Sequence, residues 1–135
     1  MFRFRLIALN LLYFLNVLLV FLLLVEDKVQ LPLFLQVTGR MHPLVLHFPL
    51  VLLFVGIFLE FLITQKNYRH PAVLKITSYV FYFFALSAAV TALFGFFLYK
   101  EGSYLGQEVM LHKWLGTVVS LLAVIVIWLK ESSAV

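Results

Sequence analysis

The sequence contains no cysteine, and only 12% of its 135 residues are charged. Without cysteine the chain forms no disulfide, holds no cysteine-ligated iron–sulfur cluster and attaches no c-type haem through C-x-x-C-H. A soluble domain carries about 25% charged residues. Since 64% of the residues are hydrophobic, a chain this short needs lipid to cover its apolar surface. The scarcity of charge therefore predicts a protein whose main partner is the lipid bilayer.

The charges that are present follow the pattern of membrane-orientation charges. The net charge is +4, but the basic residues lie at the ends of apolar runs and form no basic face. This distribution does not fit a nucleic acid as a partner. The length also leaves no room for a second domain, so residues 1–135 are predicted to form a single membrane domain.

Four apolar runs are each long enough to cross about 30 Å of hydrocarbon as a helix. The first follows Arg3 and Arg5 but is longer than the apolar part of a signal peptide, and Glu26 follows it instead of a small-residue cleavage site. We therefore interpret it as a retained span. The predicted fold class is all-α, an integral membrane bundle of four transmembrane helices, with spans at about residues 4–25, 43–64, 72–99 and 109–129.

The distribution of basic residues predicts the orientation of the bundle. With four spans, both termini share one side of the membrane with the loop at residues 64–71. That side holds six basic residues and the other side holds four. Basic residues favour the cytoplasmic side, so both termini are predicted to be cytoplasmic. The two sets are Arg3, Arg5, Lys66, Arg69, Lys75 and Lys130, and Lys28, Arg40, Lys100 and Lys113.

Small and polar residues within the spans predict where helices pack. Small and polar residues form two rows at four-residue spacing. Such rows let two helices, or a helix and a flat ligand, approach closely. Contact between helices is the simpler of these two explanations for the rows. The polar residues of the first span are expected to face other helices. The segment Leu31–Leu35 is too short to cross and is expected to lie in the interface or fold back over the bundle. The rows are Ser87, Thr91 and Gly95, and His112, Gly116 and Ser120; the polar residues are Asn10, Tyr13 and Asn16.

Two histidines and two prolines open the second span, between His42 and Pro49. Pro43 suits the first turn of a helix, where its missing N–H costs nothing. Pro49 lies deeper, so it frees the carbonyl of Val45 and bends the axis if the helix has already begun. Histidine is rare inside membrane spans and marks a functional site there by default. This segment is therefore the first candidate site.

The predicted orientation places three histidines and one glycine in one layer near the outer face. His47, Gly95 and His112 are each a few residues inside their span ends, and His42 lies at the mouth of its span. Neutral imidazole is the usual axial ligand of b-type haem. We predict that His47 and His112 ligate a haem b, because His47 lies deeper than His42, with Gly95 allowing close approach. His70 lies on the opposite side.

Further residues near this layer are candidates for contacts with the haem. Arg40 and Lys113 are basic residues at the rim that suit the propionates, and Phe48 and Trp114 suit packing on the ring. All four are also ordinary residues for a membrane interface. His42 and His47 are about 140° apart around a regular helix, so they do not grip one metal from one face unless Pro49 or a late helix start changes the angle.

Other functions stay open on the same residues. His42, His47 and His112 suit a Zn or Cu site. A cofactor-free structural or anchor subunit of a larger assembly needs these histidines only as hydrogen-bonding groups. Glu60 and Lys75, near the cytoplasmic ends of consecutive spans, are expected to form an ion pair, or otherwise to admit protons for quinone chemistry. A channel or transporter is disfavoured, because few polar residues are available to line a path.

The segment from Gly39 to Pro49 resembles the HP-x-x-x-HFP signature of a bacterial four-helix membrane domain of unknown function, and Leu111 to Gly116 resembles its second motif, LH-x-W-x-G. The resemblance covers roughly Gly39 to Leu129. Similar members occur in Bacteroidetes-type bacteria, often joined to c-type cytochrome segments. It implies the bacterial inner membrane and electron transfer. Since this chain carries no cytochrome segment, we expect a subunit that is not a complete enzyme and exchanges electrons with a periplasmic cytochrome or a respiratory complex.

Overall fold

The computed structural model describes residues 2–102 and 106–132, and helices are its only regular elements there. Four stretches are long and apolar enough to cross a membrane: Arg3–Leu24, His42–Thr64, Pro71–Lys100 and Gln107–Ser132. The predicted all-α class and four spans are therefore confirmed. The helices are α1 (Phe2–Leu24), α2 (Leu33–Gly39), α3 (His42–Val45), α4 (His47–Thr64), α5 (Pro71–Lys100) and α6 (Gln107–Ser132), with a 3-10 turn at Lys66–Tyr68.

Helix α5 is the centre of the bundle, and α1, α4 and α6 all pack against it. Half of its most apolar stretch is buried, against 22% for α1 and α6 and 11% for the span that contains α4. Buried alanines at 85, 88 and 89 let neighbouring backbones come close. Phe81, one turn before them, and Phe96, about two turns after them, are also buried. The three outer spans therefore turn most of their apolar surface to lipid.

The short helix α2 folds back over the bundle and packs against α5, which confirms the prediction for the segment before the second span. Gly39 ends α2 and is buried. A Cβ atom at this position would lie 2.5 Å from the backbone nitrogen of Leu98 and 2.8 Å from the carbonyl carbon of Phe97. Only glycine therefore allows this contact, which fixes where the chain enters the second span.

The second span is divided in two at Leu46, between α3 and α4. Pro49 has no N–H to give to the carbonyl of Val45, one turn earlier. Instead the hydroxyl of Thr91, on α5, donates to that carbonyl over 3.5 Å. The prediction that Pro49 frees the carbonyl of Val45 is thereby confirmed. His42 and His47 therefore begin the two successive segments of this span.

The polar residues of α1 fall on different faces. Asn16 is buried and donates to the carbonyl of Leu12 over 3.0 Å, while Ser120 of α6 donates to its side-chain oxygen over 2.8 Å. Its predicted interhelical role is confirmed. Asn10 and Tyr13 are exposed, so the same expectation was wrong for them. They lie beside the buried face that carries Leu12 and Asn16, and an exposed position at this depth faces lipid or its interface.

The charged residues at the end of the bundle where α1 begins and α6 ends, here called the terminal end, form pairs across helices. Glu60 of α4 pairs with Lys130 of α6, and Glu131 pairs with Arg5 of α1. The expected pair between Glu60 and Lys75 was therefore wrong. Glu60 and Lys75 lie at similar depth, but the side chain of Glu60 points towards α6, where it meets Lys130. His70 is also at this end, where it caps α5 by accepting from the N–H of Ala72.

Candidate histidine site

The rings of His42 and His112 contact each other at the opposite end of the bundle. Their centroids are 5.8 Å apart and their planes are inclined by 83°. His42 is the first residue of α3, and His112 lies in the second turn of α6. Both α3 and α6 pack against α5. Two imidazoles from different helices are thereby brought within reach of one bound group.

The ring of His42 is held by α5. Its Nδ1 lies 2.9 Å from the backbone carbonyl of Thr91. A carbonyl only accepts, so Nδ1 carries the proton and Nε2 presents its lone pair. Nε2 is buried, and no described residue bonds to it. A Cβ atom on Gly95 would lie 3.0 Å from Cε1 of His42, so the glycine makes room for this ring. Metal-binding histidines use the same arrangement, with the second nitrogen donating to a backbone carbonyl.

A cavity of about 330 Å³ adjoins the two histidines. This is the lower end of the range of about 300–1,000 Å³ typical of small-molecule sites. Its wall on α5 includes Gly95, Phe96 and Tyr99, and its wall on α6 includes His112, Lys113 and Gly116. A Cβ atom on Gly116 would meet nothing within 4 Å. The row of His112 and Gly116 therefore leaves an open, mainly apolar space directly beside the imidazole.

His47 lies outside this cavity. Its side chain is exposed, and its Nδ1 is 2.9 Å from the carbonyl of Pro43, one turn earlier in the same span. Phe48 is 61% exposed and lines a separate apolar groove between α1, α4 and α5. Trp114 is 49% exposed and is likewise absent from the cavity wall. Of the predicted residues, the structure gathers His42, Gly95, His112 and Lys113 around one cavity.

Lys113 is already paired, in spite of its position in the cavity wall. Its Nζ lies 2.8 and 3.0 Å from the carboxylate oxygens of Glu26 and 4.1 Å from the centroid of the Tyr99 ring. Its side chain is only 5% exposed. Lys100 donates to the backbone carbonyl of Glu26 over 2.7 Å. Glu26 thus ties the end of α1 to α5 and α6. The only signal in the sequence for this role of Glu26 was that an acidic residue lies at the same end of the bundle as Lys100 and Lys113.

Arg40 is also engaged, by a carboxylate at the end of α5. Its Nε lies 3.0 and 3.2 Å from the two carboxylate oxygens of Glu101, and its Nη2 contacts the same group. Such a two-pronged bond is among the stronger ion-pair geometries. It connects the chain between α2 and α3 to the end of α5, two residues before His42. The hydrogen bonds from Arg40 lower the pKa of the Glu101 carboxyl below its ordinary value of 4.5.

Acid should weaken this connection. Because the pKa of Glu101 is lower in the folded protein, its stabilising contribution is fully present above about pH 4.5 and is lost as the pH falls through the folded-state pKa. We expect the melting temperature in detergent to fall below pH 4.5, and to fall less in Glu101→Gln. Tryptophan fluorescence at a series of pH values measures this. An equal fall in both proteins would show that Glu101 is not responsible.

The part of the chain that builds this site matches a known family. A model of the family described as "Predicted membrane protein (DUF2231)" matches residues 40–134. The chain belongs to this family. The match includes α3 to α6, so His42, His112 and the cavity walls named above lie in the DUF2231 region, whereas Glu26 and nearly all of the segment before α3 precede it. No curated protein and no solved structure matches the chain. The family assignment itself states membrane location and no activity.

Proposed function

We propose that this DUF2231 protein binds a b-type haem through His42 and His112 and passes electrons to or from a partner protein. The observation that carries the proposal is the contact between these two rings, with the Nε2 lone pair of His42 buried and unpartnered. A buried imidazole nitrogen without a partner is costly in a membrane protein. A metal centre at this position removes that cost.

The number of available ligands favours haem over a bare metal ion. The two rings are close enough for one bound group to reach both, because their centroids are 5.8 Å apart. Within residues 2–102 and 106–132, no group of three metal-binding side chains is present. Structural zinc takes four protein ligands and catalytic zinc three. Haem needs only one or two, because its porphyrin supplies the others.

The surrounding residues would hold and shield the haem. His42 binds with its tautomer fixed by Thr91, and His112 binds from α6. Phe96 and Tyr99 provide apolar and aromatic surface that excludes water, and Gly116 leaves the wall beside His112 free for a flat ring. When bound, the haem supplies one-electron redox chemistry. The chain contributes ligation, orientation and a low-dielectric environment.

This proposal takes His42 as the ligand where the sequence favoured His47. Depth alone favoured His47. In the structure His42 contacts Thr91 of α5 and the ring of His112, whereas His47 bonds within its own span and does not line the cavity. We further propose, from the bias of basic residues, that the histidine site faces the periplasm of a bacterial inner membrane. A c-type cytochrome or a membrane redox complex would then be the partner.

A second candidate is a structural subunit without a cofactor. One observation favours it: the hydrogen bond from His42 to Thr91 already fastens α3 to α5. In that case His42 and His112 would only stabilise the bundle, and the cavity would hold lipid. Haem content separates the two candidates directly.

The test is an absorption spectrum of the protein purified from haem-sufficient cells, oxidised and reduced, together with a pyridine haemochromogen assay. We expect about one haem b per chain, and haem content at background for His112→Ala. His70→Ala is the control, because His70 lies at the terminal end and caps α5; its haem content should equal that of the wild type. A folded, colourless wild-type protein would refute haem binding.

A further inference from the structure

A second cavity, of about 560 Å³, lies at the terminal end of the bundle and shares no residue with the histidine site. All four spans contribute to it. Its charged residues are Arg5 from α1, Glu60 from α4, Lys75 from α5, and Lys130 and Glu131 from α6. The terminal end therefore contains a separate polar space within a protein that is otherwise strongly apolar.

The two carboxylates of this cavity are already paired. Glu60 pairs with Lys130, and Glu131 pairs with Arg5 and accepts a hydrogen bond from the hydroxyl of Tyr82. Among the described residues, three cations therefore line the cavity with only two carboxylates, which leaves one positive charge in excess.

Lys75 carries that excess charge. Its side chain is exposed, and no carboxylate lies within ion-pair distance of it in the described part of the chain. Its Nζ is 6.0 Å from the centroid of the Tyr79 ring, which also lines the cavity. The ammonium of Lys75 is therefore both part of the cavity wall and exposed, so it is available to an anion.

The walls around these charges are apolar. Ile63, Leu74 and Leu129 line the same cavity, and Leu74 and Leu129 are 41% and 51% exposed on the outside of the bundle. The cavity therefore opens on the surface where hydrocarbon chains lie. A ligand that satisfies both features has an anionic head and an acyl tail.

We propose that this cavity binds the headgroup of an acidic phospholipid, with its phosphate paired to Lys75 and its acyl chains along Leu74 and Leu129. Basic pockets between transmembrane helices are known to bind anionic headgroups. A zwitterionic headgroup brings an ammonium that the excess positive charge repels, and a neutral quinone does not use that charge. The site consequently selects lipids by charge, and it does not depend on haem binding.

Native mass spectrometry of the full-length protein in detergent tests the proposal. The protein is incubated with phosphatidylglycerol or with phosphatidylcholine of identical acyl chains, and the bound lipid is counted. One lysine near a membrane surface contributes about 1 kcal/mol towards an anionic lipid, so we expect about five-fold greater retention of phosphatidylglycerol. Lys75→Gln should bring the two lipids to parity.

The matched control is Lys66→Gln. Lys66 lies at the same end of the bundle, in the 3-10 turn, and is not part of the cavity wall. The Lys66→Gln substitution removes the same charge outside the cavity, so this variant should keep the wild-type preference for phosphatidylglycerol. Equal retention of both lipids by the wild type, or equal losses in the two variants, would refute the proposal. Displacement of the lipid by millimolar inorganic phosphate would identify an anion site that does not use the acyl chains, and would also refute it.

Discussion

His42→Ala protein should purify with haem content at least ten-fold below the wild type, whereas His47→Ala should stay within about two-fold of it. Loss of a residue that merely orients a metal ligand already costs about 10–100-fold in affinity, and His42 is proposed as a ligand itself. His47 is exposed and bonds to Pro43 within its own span. The haem content per chain, measured as the pyridine haemochromogen, gives both values.

The pair of variants also tests the ligand assignment against its alternative. If His47→Ala loses the haem and His42→Ala keeps it, the pair predicted from the sequence, His47 and His112, is correct. His42 additionally fastens α3 to α5 through Thr91, so its removal affects folding as well as ligation. His42→Gly separates the two effects: added imidazole should restore the haem spectrum if the ligand alone is missing. No restoration in a protein with wild-type helicity would contradict ligation by His42.

Gly39→Ala is expected to cause the largest loss of stability. A Cβ atom there would lie 2.5 Å from the backbone nitrogen of Leu98, in the last turn of α5, and backbone does not yield as the end of a flexible side chain does. Overpacking of this kind costs about 1–3 kcal/mol or more, and we expect the upper end. Because only two residues separate Gly39 from His42, haem content should fall together with the melting temperature. Thermal unfolding in detergent, followed by circular dichroism, measures the loss.

Gly116→Ala is the matched control for this prediction. It makes the same substitution inside a transmembrane helix, but no atom lies within 4 Å of the added Cβ. Alanine is favoured over glycine in helices by about 1 kcal/mol, so stability should be unchanged or slightly higher. The added methyl group would enter the histidine cavity, so a fall in haem content without a fall in stability is expected. Equal melting temperatures for the two variants would show that α2 does not need the contact at Gly39.

Hydropathy and length sufficed to predict the spans and the single helical bundle, because the cost of exposing polar backbone to lipid leaves few alternatives. The interruption by Pro49 was also predictable, because the missing N–H has a definite position in the helix. The partners of individual side chains were not. Rise per residue gives depth along the axis, so Gly95 and His112 were assigned to the correct layer.

Depth does not give direction around the axis. The sequence therefore paired Glu60 with Lys75, where the structure pairs it with Lys130. It likewise favoured His47, because His47 lies deeper in its span than His42, and depth did not show that the ring of His42 is the one that meets Thr91 and His112. Arg40 and Lys113 were predicted to pair with the propionates from their positions alone. In the structure Arg40 forms an ion pair with Glu101, and Lys113 forms one with Glu26.

Thr91 has a consequence for how the histidine site responds to the membrane. Its hydroxyl donates a hydrogen bond to the carbonyl freed by Pro49, and its own carbonyl accepts one from Nδ1 of His42. His42 is thus held by the most buried helix, whereas its own span is the least buried of the four. Transmembrane helices accommodate a change in bilayer thickness partly by tilting. Because two hydrogen bonds connect Thr91 to the start of the second span, we expect His42 to move together with α5 when a change in bilayer thickness tilts the bundle.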